Sequence, residues 1–249
     1  VIFLFSVLLR MNFDPTIPFH YDPGKNIVYA RAVLEWFPLF PQYNPFFNLG
    51  EYYEYQVLYP YISALFHLLS GLPLVTSATW MAVLSGAALA VTVFFLTKEI
   101  FGNNTAALIS AFLIAVSKVQ LLQFMNYYPQ ILATTLIPLS FLFLIRYVKY
   151  HKWHQITLVI ILSSLIILGS YIASLVYFSV LFLSLVIWCL FHKKDVQALI
   201  IIPCGTVLLL SFYWLPIVAR HGLYEVFRTA VHIIFSTTGT FTNQSWTLT

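Results

Sequence analysis

From Ile156 to Phe191 the chain runs 36 residues without a charged side chain. One helix of that length would extend ~54 Å at ~1.5 Å per residue, against a bilayer hydrocarbon core of ~30 Å. Basic residues flank the run on both sides, Lys152 before it and Lys193 and Lys194 after it. The run is therefore expected to fold back as a hairpin, with its turn at Gly169-Ser170-Tyr171. Other apolar runs repeat the theme. Pro73 to Thr97 carries no charge, Ala106 to Ile145 carries Lys118 alone, and Val196 to Ala219 carries none. Asn126-Tyr127-Tyr128-Pro129 breaks the second of these.

Composition agrees. Charged residues make up 8% of the chain, where a soluble domain carries about 25%, and the mean hydropathy is +0.88. This excludes an ordinary soluble globule, a disordered chain and a coiled coil. The expected fold is all-α, a polytopic transmembrane helical bundle. The 249 residues read as a single transmembrane domain. Residues 1–10 form the end of a first span, 11–72 a long extracytoplasmic loop with interfacial helices, 73–219 about six spans, and 220–249 a further extracytoplasmic segment. Val1 to Leu9 is apolar, lacks an initiator Met and is followed by no signal-peptidase-like site. We therefore expect the N-terminal part of a larger protein.

Net charge is +4 with a pI near 9.0. The 12 Lys and Arg lie between apolar runs, so they read as loop charge, and no nucleic-acid partner is expected. Arg146, Lys149 and Lys152 form one short-loop cluster, and Lys193 and Lys194 another. The positive-inside rule makes these cytoplasmic. Over all loops the count ties at six and six, with Arg10 among the outside charges, so the short loops decide. Trp80, Trp153, Trp188 and Trp214 then fall near helix ends, as an aromatic belt does. Leu58 to Leu72 is apolar but short, so it reads as an interfacial helix, which leaves 11–57 outside. Cys189 and Cys204 sit in apolar runs and read as buried thiols, with neither disulfide nor metal spacing.

Residues 11–57 hold five of the eight acids, Asp14, Asp22, Glu35, Glu51 and Glu54, with six prolines. Within them His20-Tyr21-Asp22-Pro23-Gly24 opens an amphipathic pattern, Ile27, Ala30, Leu34 and Phe37 at 3, 4, 3 spacing. Asp22 stands where an N-cap belongs, with Pro23 at the first helical position, and Arg31 and Glu35 form an i, i+4 pair. A capping carboxylate can also take a proton from a hydroxyl, so both roles stay open for Asp22. Asp14 reads as a solvated loop charge. Glu51 and Glu54, among tyrosines, suit sugar hydroxyls as well as a plain anionic loop. Lys118 is expected ~9 Å inside a helix end, either snorkelling or contacting a phosphate. Arg220 and His221 close the last span, as headgroup anchors or phosphate contacts. His67 reads as a packed aromatic. Asn103-Asn104-Thr105 and Asn243-Gln244-Ser245 fit the glycosylation sequon, the first on the side expected to be cytoplasmic and hence a chance match.

The stretch "HYDPGKNIVYARAVLEWFPLFP", then "LYPYISALFHLLSGLP", then helix after helix, resembles the GT-C class of membrane glycosyltransferases. Asp22 with Ala30-Arg31 matches an acid ahead of an Ala-Arg helix in the first long loop. Tyr59-Pro60 and Gly71 match the interfacial helix after it. The layout is also similar to oligosaccharyltransferase catalytic subunits. The resemblance implies a transferase that moves a sugar from a polyprenyl-phosphate-linked donor to an extracytoplasmic acceptor, a glycan, lipid or protein. Asp22 inherits the catalytic carboxylate's role. His20, Glu51, Glu54, Lys118, Tyr127, Tyr128, Arg220 and His221 are the candidate substrate contacts. The metal-dependent relatives carry an acid where this chain reads Gln123-Phe124-Met125-Asn126-Tyr127-Tyr128-Pro129-Gln130, so no divalent metal or other cofactor is expected. The implied location is a multi-pass integral protein of a prokaryotic cell membrane. The rival class is a transporter or flippase without glycosyl-transfer chemistry, which would show internal repeats and charges at mid-membrane.

Overall fold

The computed structural model describes residues 1–11, 21–36, 57–117, 128–191 and 196–221, and of Asp22, Arg220 and His221 it describes the backbone. All regular structure among these residues is helical. In chain order the helices are α1 (Ile2–Arg10), α2 (Tyr21–Trp36), α3 (Leu58–Ser70), α4 (Leu74–Phe101), α5 (Asn104–Val116), α6 (Tyr128–Tyr150), α7 (Trp153–Gly169), α8 (Tyr171–Phe191) and α9 (Val196–His221). Among the described residues three stretches are long and apolar enough to cross a membrane: Leu74–Phe101, Tyr128–Tyr150 and Tyr171–Trp188. The other apolar stretches, Asn104–Val116, Trp153–Gly169 and Gln197–Tyr213, are shorter.

The long helices α4 and α6 pack on each other at the centre. On one flank α1 and α5 lie against α4, and on the other α7 and α8 lie against α6, with α9 beyond on α7 and α8. The buried faces carry small or shape-matched residues at four-residue spacing. In α5 these are Ala107, Ala111 and Ala115, while Leu108, Ile109, Phe112 and Leu113 are exposed. In α8 Tyr177, Leu181 and Leu185 face inward, and Val176, Val180, Phe182 and Leu183 face outward. A water-soluble helix hides its large apolar residues and shows polar ones. The inverted pattern here is that of helices packed through small residues in hydrocarbon.

The connections follow from local chemistry. After α3 and after α4 the chain must reverse, and Gly71 (φ 69°) and Gly102 (φ 66°) supply the left-handed residue. The Gly71 N–H reaches the His67 carbonyl and the Gly102 N–H reaches that of Lys98. Asn103 then caps α5, its Oδ1 accepting from the Thr105 N–H at 2.8 Å and the Ala106 N–H at 3.3 Å. This local role accounts for the Asn-Asn-Thr triplet that also fits a sequon. His67 is half-buried on α3, and its Nδ1 lies 2.5 Å from the Leu72 carbonyl oxygen. Between α7 and α8 the break falls at Ser170, as the length of the uncharged run requires; its extended backbone starts α8 and its Oγ accepts from the Ala173 N–H at 3.3 Å.

Three expectations change. Helix α2 begins at Tyr21, so Asp22 is its second residue and not its cap. Helix α5 ends at Val116, with Ser117 extended (ψ 122°) after it, and the reading of Lys118 lies outside the described residues. Cys204 is exposed, not buried, because in an apolar helix hydropathy no longer tells the outer face from the inner. Arg10, counted as an outside loop charge, is fully buried.

Candidate functional site

One end of the bundle gathers α2 and α3 onto α4 and α6. Helix α2 reads as an amphipathic element and packs as one. Ala30 and Val33 are buried against Ala64 of α3, with Leu34, Tyr61 and Leu74 closing round them. Ile27, one turn earlier, packs on a second cluster formed by Tyr59, Ala78, Ala82, Val83, Leu89, Tyr128, Ile131 and Leu132. The first turn of α2, which carries Asp22, therefore leads directly into contacts with the ends of α4 and α6. On the opposite, exposed face Arg31 Nε donates to Glu35 Oε1 at 3.0 Å, as the spacing predicts. The Lys25 ammonium lies 5.8 Å from the centre of the Tyr29 ring.

Two tyrosines tie this end together. The Tyr59 hydroxyl donates to the Ala78 carbonyl of α4. The Tyr128 hydroxyl, on the first residue of α6, makes a long 3.5 Å contact with Thr79 Oγ1, and the two rings are 5.7 Å apart. Burial, with the neighbouring Tyr128 second, pushes the Tyr59 phenol well above its ordinary value. It therefore stays a neutral donor. Of the predicted substrate contacts, Tyr128 is thus a buried residue under α2. Asp22 lies in the first turn of α2, and Arg220 and His221 are the last two residues of α9. The structure brings the helix of Asp22 together with Tyr128, whereas α9 has α7 and α8 as its main neighbours. His20, Glu51, Glu54, Lys118 and Tyr127 lie outside the described residues. Among the described residues no three His, Cys, Asp or Glu side chains come together as a metal would require.

The other end of α4 and α6 is closed by charge. Glu99 of α4 accepts from Arg146 Nε at 3.1 Å and from Lys149 Nζ at 2.9 Å, both on α6. Lys149 also reaches the Glu99 carbonyl at 2.6 Å.

Sequence reasoning missed one residue in the interior. Arg10, the last residue of α1, lies wholly buried against Gly86 of α4. Its Nη1 donates to the Ser6 carbonyl at 3.0 Å and to Ser6 Oγ. A Cβ on Gly86 would stand 2.6 Å from Arg10 Nε, so the bare glycine backbone is what admits the guanidinium. Gly86 lies twelve residues into the 28-residue α4, ~18 Å from its start at ~1.5 Å per residue. That is near the middle of a candidate span. The local signal was a serine one turn before the arginine; the decisive glycine is remote in sequence. No family model matches the chain, and no curated protein matches it.

Proposed function

We propose that this chain is an integral multi-pass protein of a prokaryotic cell membrane that transfers a sugar from a polyprenyl-phosphate-linked donor to an extracytoplasmic acceptor. The observation that carries the reading is α2, laid on the ends of α3, α4 and α6 with Asp22 in its first turn. The Arg146, Lys149 and Glu99 network at the far end suits the cytoplasmic side by the positive-inside rule. In this reading the helices of 73–219 all belong to the membrane bundle, the shorter ones included. An acceptor hydroxyl oxygen attacks the anomeric carbon and the bond from that carbon to the phosphate oxygen breaks. Polyprenyl phosphate leaves with the electron pair, the anomeric centre inverts, and the hydroxyl proton passes to the Asp22 carboxylate.

A second reading, a transporter or flippase of the same lipid class, draws on one observation. The charge of Arg10 sits near the middle of a candidate span, where transporters place charges. The experiment that separates the two uses sealed vesicles carrying the protein and a panel of sugar-labelled polyprenyl phosphates. Transfer predicts labelled acceptor and one polyprenyl phosphate released per sugar moved. Label that crosses the bilayer still attached to its lipid, with none transferred, contradicts the transferase.

A further inference from the structure

We propose that the end of the bundle where α4, α6 and α8 finish is a docking surface for the anionic phospholipid headgroups of the adjoining leaflet. The helix connections assemble it. Glu99, near the end of α4, meets Arg146 and Lys149, near the end of α6, so these two helices finish side by side. Helix α7 runs back from there, and Ser163 of α7 meets Tyr177 of α8 at 2.7 Å, equally far from Ser170 on either side. The end of α8 and the start of α9 therefore return to the same end. At and between these helix ends the chain carries six cations, Lys98, Arg146, Lys149, Lys152, Lys193 and Lys194, against two acids, Glu99 and Asp195. The rest of the chain holds six of each, so the whole net charge of +4 belongs to one end, and this balance takes in all eight acids. The surface is open. Tyr150, His151, Lys152, Trp153 and His154 are all exposed in the α6–α7 connection, as is Lys98 at the end of α4. The tight turn holds them at one level, His151 taking the left-handed conformation (φ 50°) with its N–H bonded to the Tyr147 carbonyl at 2.7 Å. Tyr and Trp beside lysines at a span's end match the headgroup level of a bilayer. Each cation near an anionic leaflet is attracted within a Debye length, ~10 Å at 0.1 M salt. The adjoining helix sides expose Phe101, Leu108 and Phe112, which suit hydrocarbon. What meets the cations at the edge of hydrocarbon is a headgroup.

This docking needs only that the bundle lies in a bilayer, so it stands or falls apart from sugar transfer, and its test reads no turnover. The protein is purified in maltoside micelles, and phosphatidylglycerol or phosphatidylcholine is added. Bound lipid is counted by native mass spectrometry and the thermal midpoint is followed in parallel. Phosphatidylglycerol is expected to bind at least about tenfold more tightly than phosphatidylcholine and to raise the midpoint further, with the preference falling sharply in ~0.5 M NaCl. Lys98→Gln and Lys152→Gln change exposed lysines, not the pair of cations that holds Glu99. Each is expected to weaken phosphatidylglycerol roughly fivefold and to leave phosphatidylcholine unchanged. Arg31→Gln removes an exposed cation from α2 at the other end and is expected to leave both affinities unchanged. Equal affinity of the wild type for the two lipids overturns the proposal and needs no variant to fold. So does a phosphatidylglycerol affinity that both lysine variants leave intact, or a loss in Arg31→Gln as large as theirs.

Discussion

Tyr177 is a buried hydroxyl with a closed set of partners, so its removal has a calculable cost. Its Oη lies 2.7 Å from Ser140 Oγ of α6 and 2.7 Å from Ser163 Oγ of α7. The Ser163 hydrogen is committed to the Val159 carbonyl at 2.7 Å, so Tyr177 donates to Ser163 and Ser140 donates to Tyr177. The ring meets Phe141 edge-on, 5.7 Å between centres. Tyr177→Phe removes one donor and one acceptor but keeps the ring. Between membrane helices such hydrogen bonds average ~0.6 kcal/mol and reach ~1.7, because serine can turn its hydroxyl to a carbonyl one turn back. The expected loss is therefore ~1–2 kcal/mol. Tyr177→Ala also opens a cavity among Leu144, Ile156 and Leu181, and truncating a buried aromatic costs about 3–5 kcal/mol. The assay is reversible unfolding in mixed micelles with increasing denaturing detergent. Equal losses for the two variants, or no loss for Tyr177→Ala, refute the packing of α6, α7 and α8 through this residue.

Three further outcomes follow. Asn103→Ala removes both side-chain bonds at the start of α5 and should cost about 1 kcal/mol, with Asn103→Asp near wild type; the same unfolding assay checks it. A cysteine at Asn44 should label from outside intact cells and one at His151 should not; labelling of both from one side reverses the proposed orientation. Gly86→Ala should destabilise the protein, since its Cβ would stand 2.6 Å from the buried Arg10 Nε; the same unfolding assay checks it, and an unchanged midpoint contradicts the packing of Arg10 on α4.

What the sequence made legible was set by short-range rules. The hairpin break at Ser170 follows from the length of one uncharged run, and the helix over Leu58–Ser70 from its apolar residues and Gly71. Of the 3, 4, 3 stripe of α2, Ala30 is buried and Ile27 and Leu34 are half-buried, but the fully buried face also takes in Asn26, Tyr29, Ala32 and Val33, which the spacing did not pick out. Contacts made far apart in the chain left no such trace. An arginine ending α1 reads as an interfacial charge until Gly86 is brought against it. Likewise Glu99 acquires meaning only beside Arg146 and Lys149. The end of α5 at Ser117 carries neither Gly nor Pro, so an apolar run gave no reason to stop there. The exposed Cys204 shows the same limit, since hydropathy does not distinguish two apolar faces.

Asp22 carries the chemistry proposed, and its isosteric amide separates chemistry from folding. Asn and Asp have similar helix propensity and a charge in the first helical turn is worth ~0.3–1 kcal/mol, so Asp22→Asn should leave the protein's abundance unchanged and lower the unfolding midpoint only slightly. An amide cannot accept the acceptor's proton, and loss of a general base costs roughly 10²–10⁴-fold in rate. The decisive measurement is the initial rate of sugar transfer from the active donor of the polyprenyl-phosphate panel by membranes holding equal amounts of wild type and Asp22→Asn. A fall of two or more orders of magnitude at near-equal stability is the predicted result. Transfer by Asp22→Asn at the wild-type rate contradicts it and leaves Asp22 a helix-start residue alone.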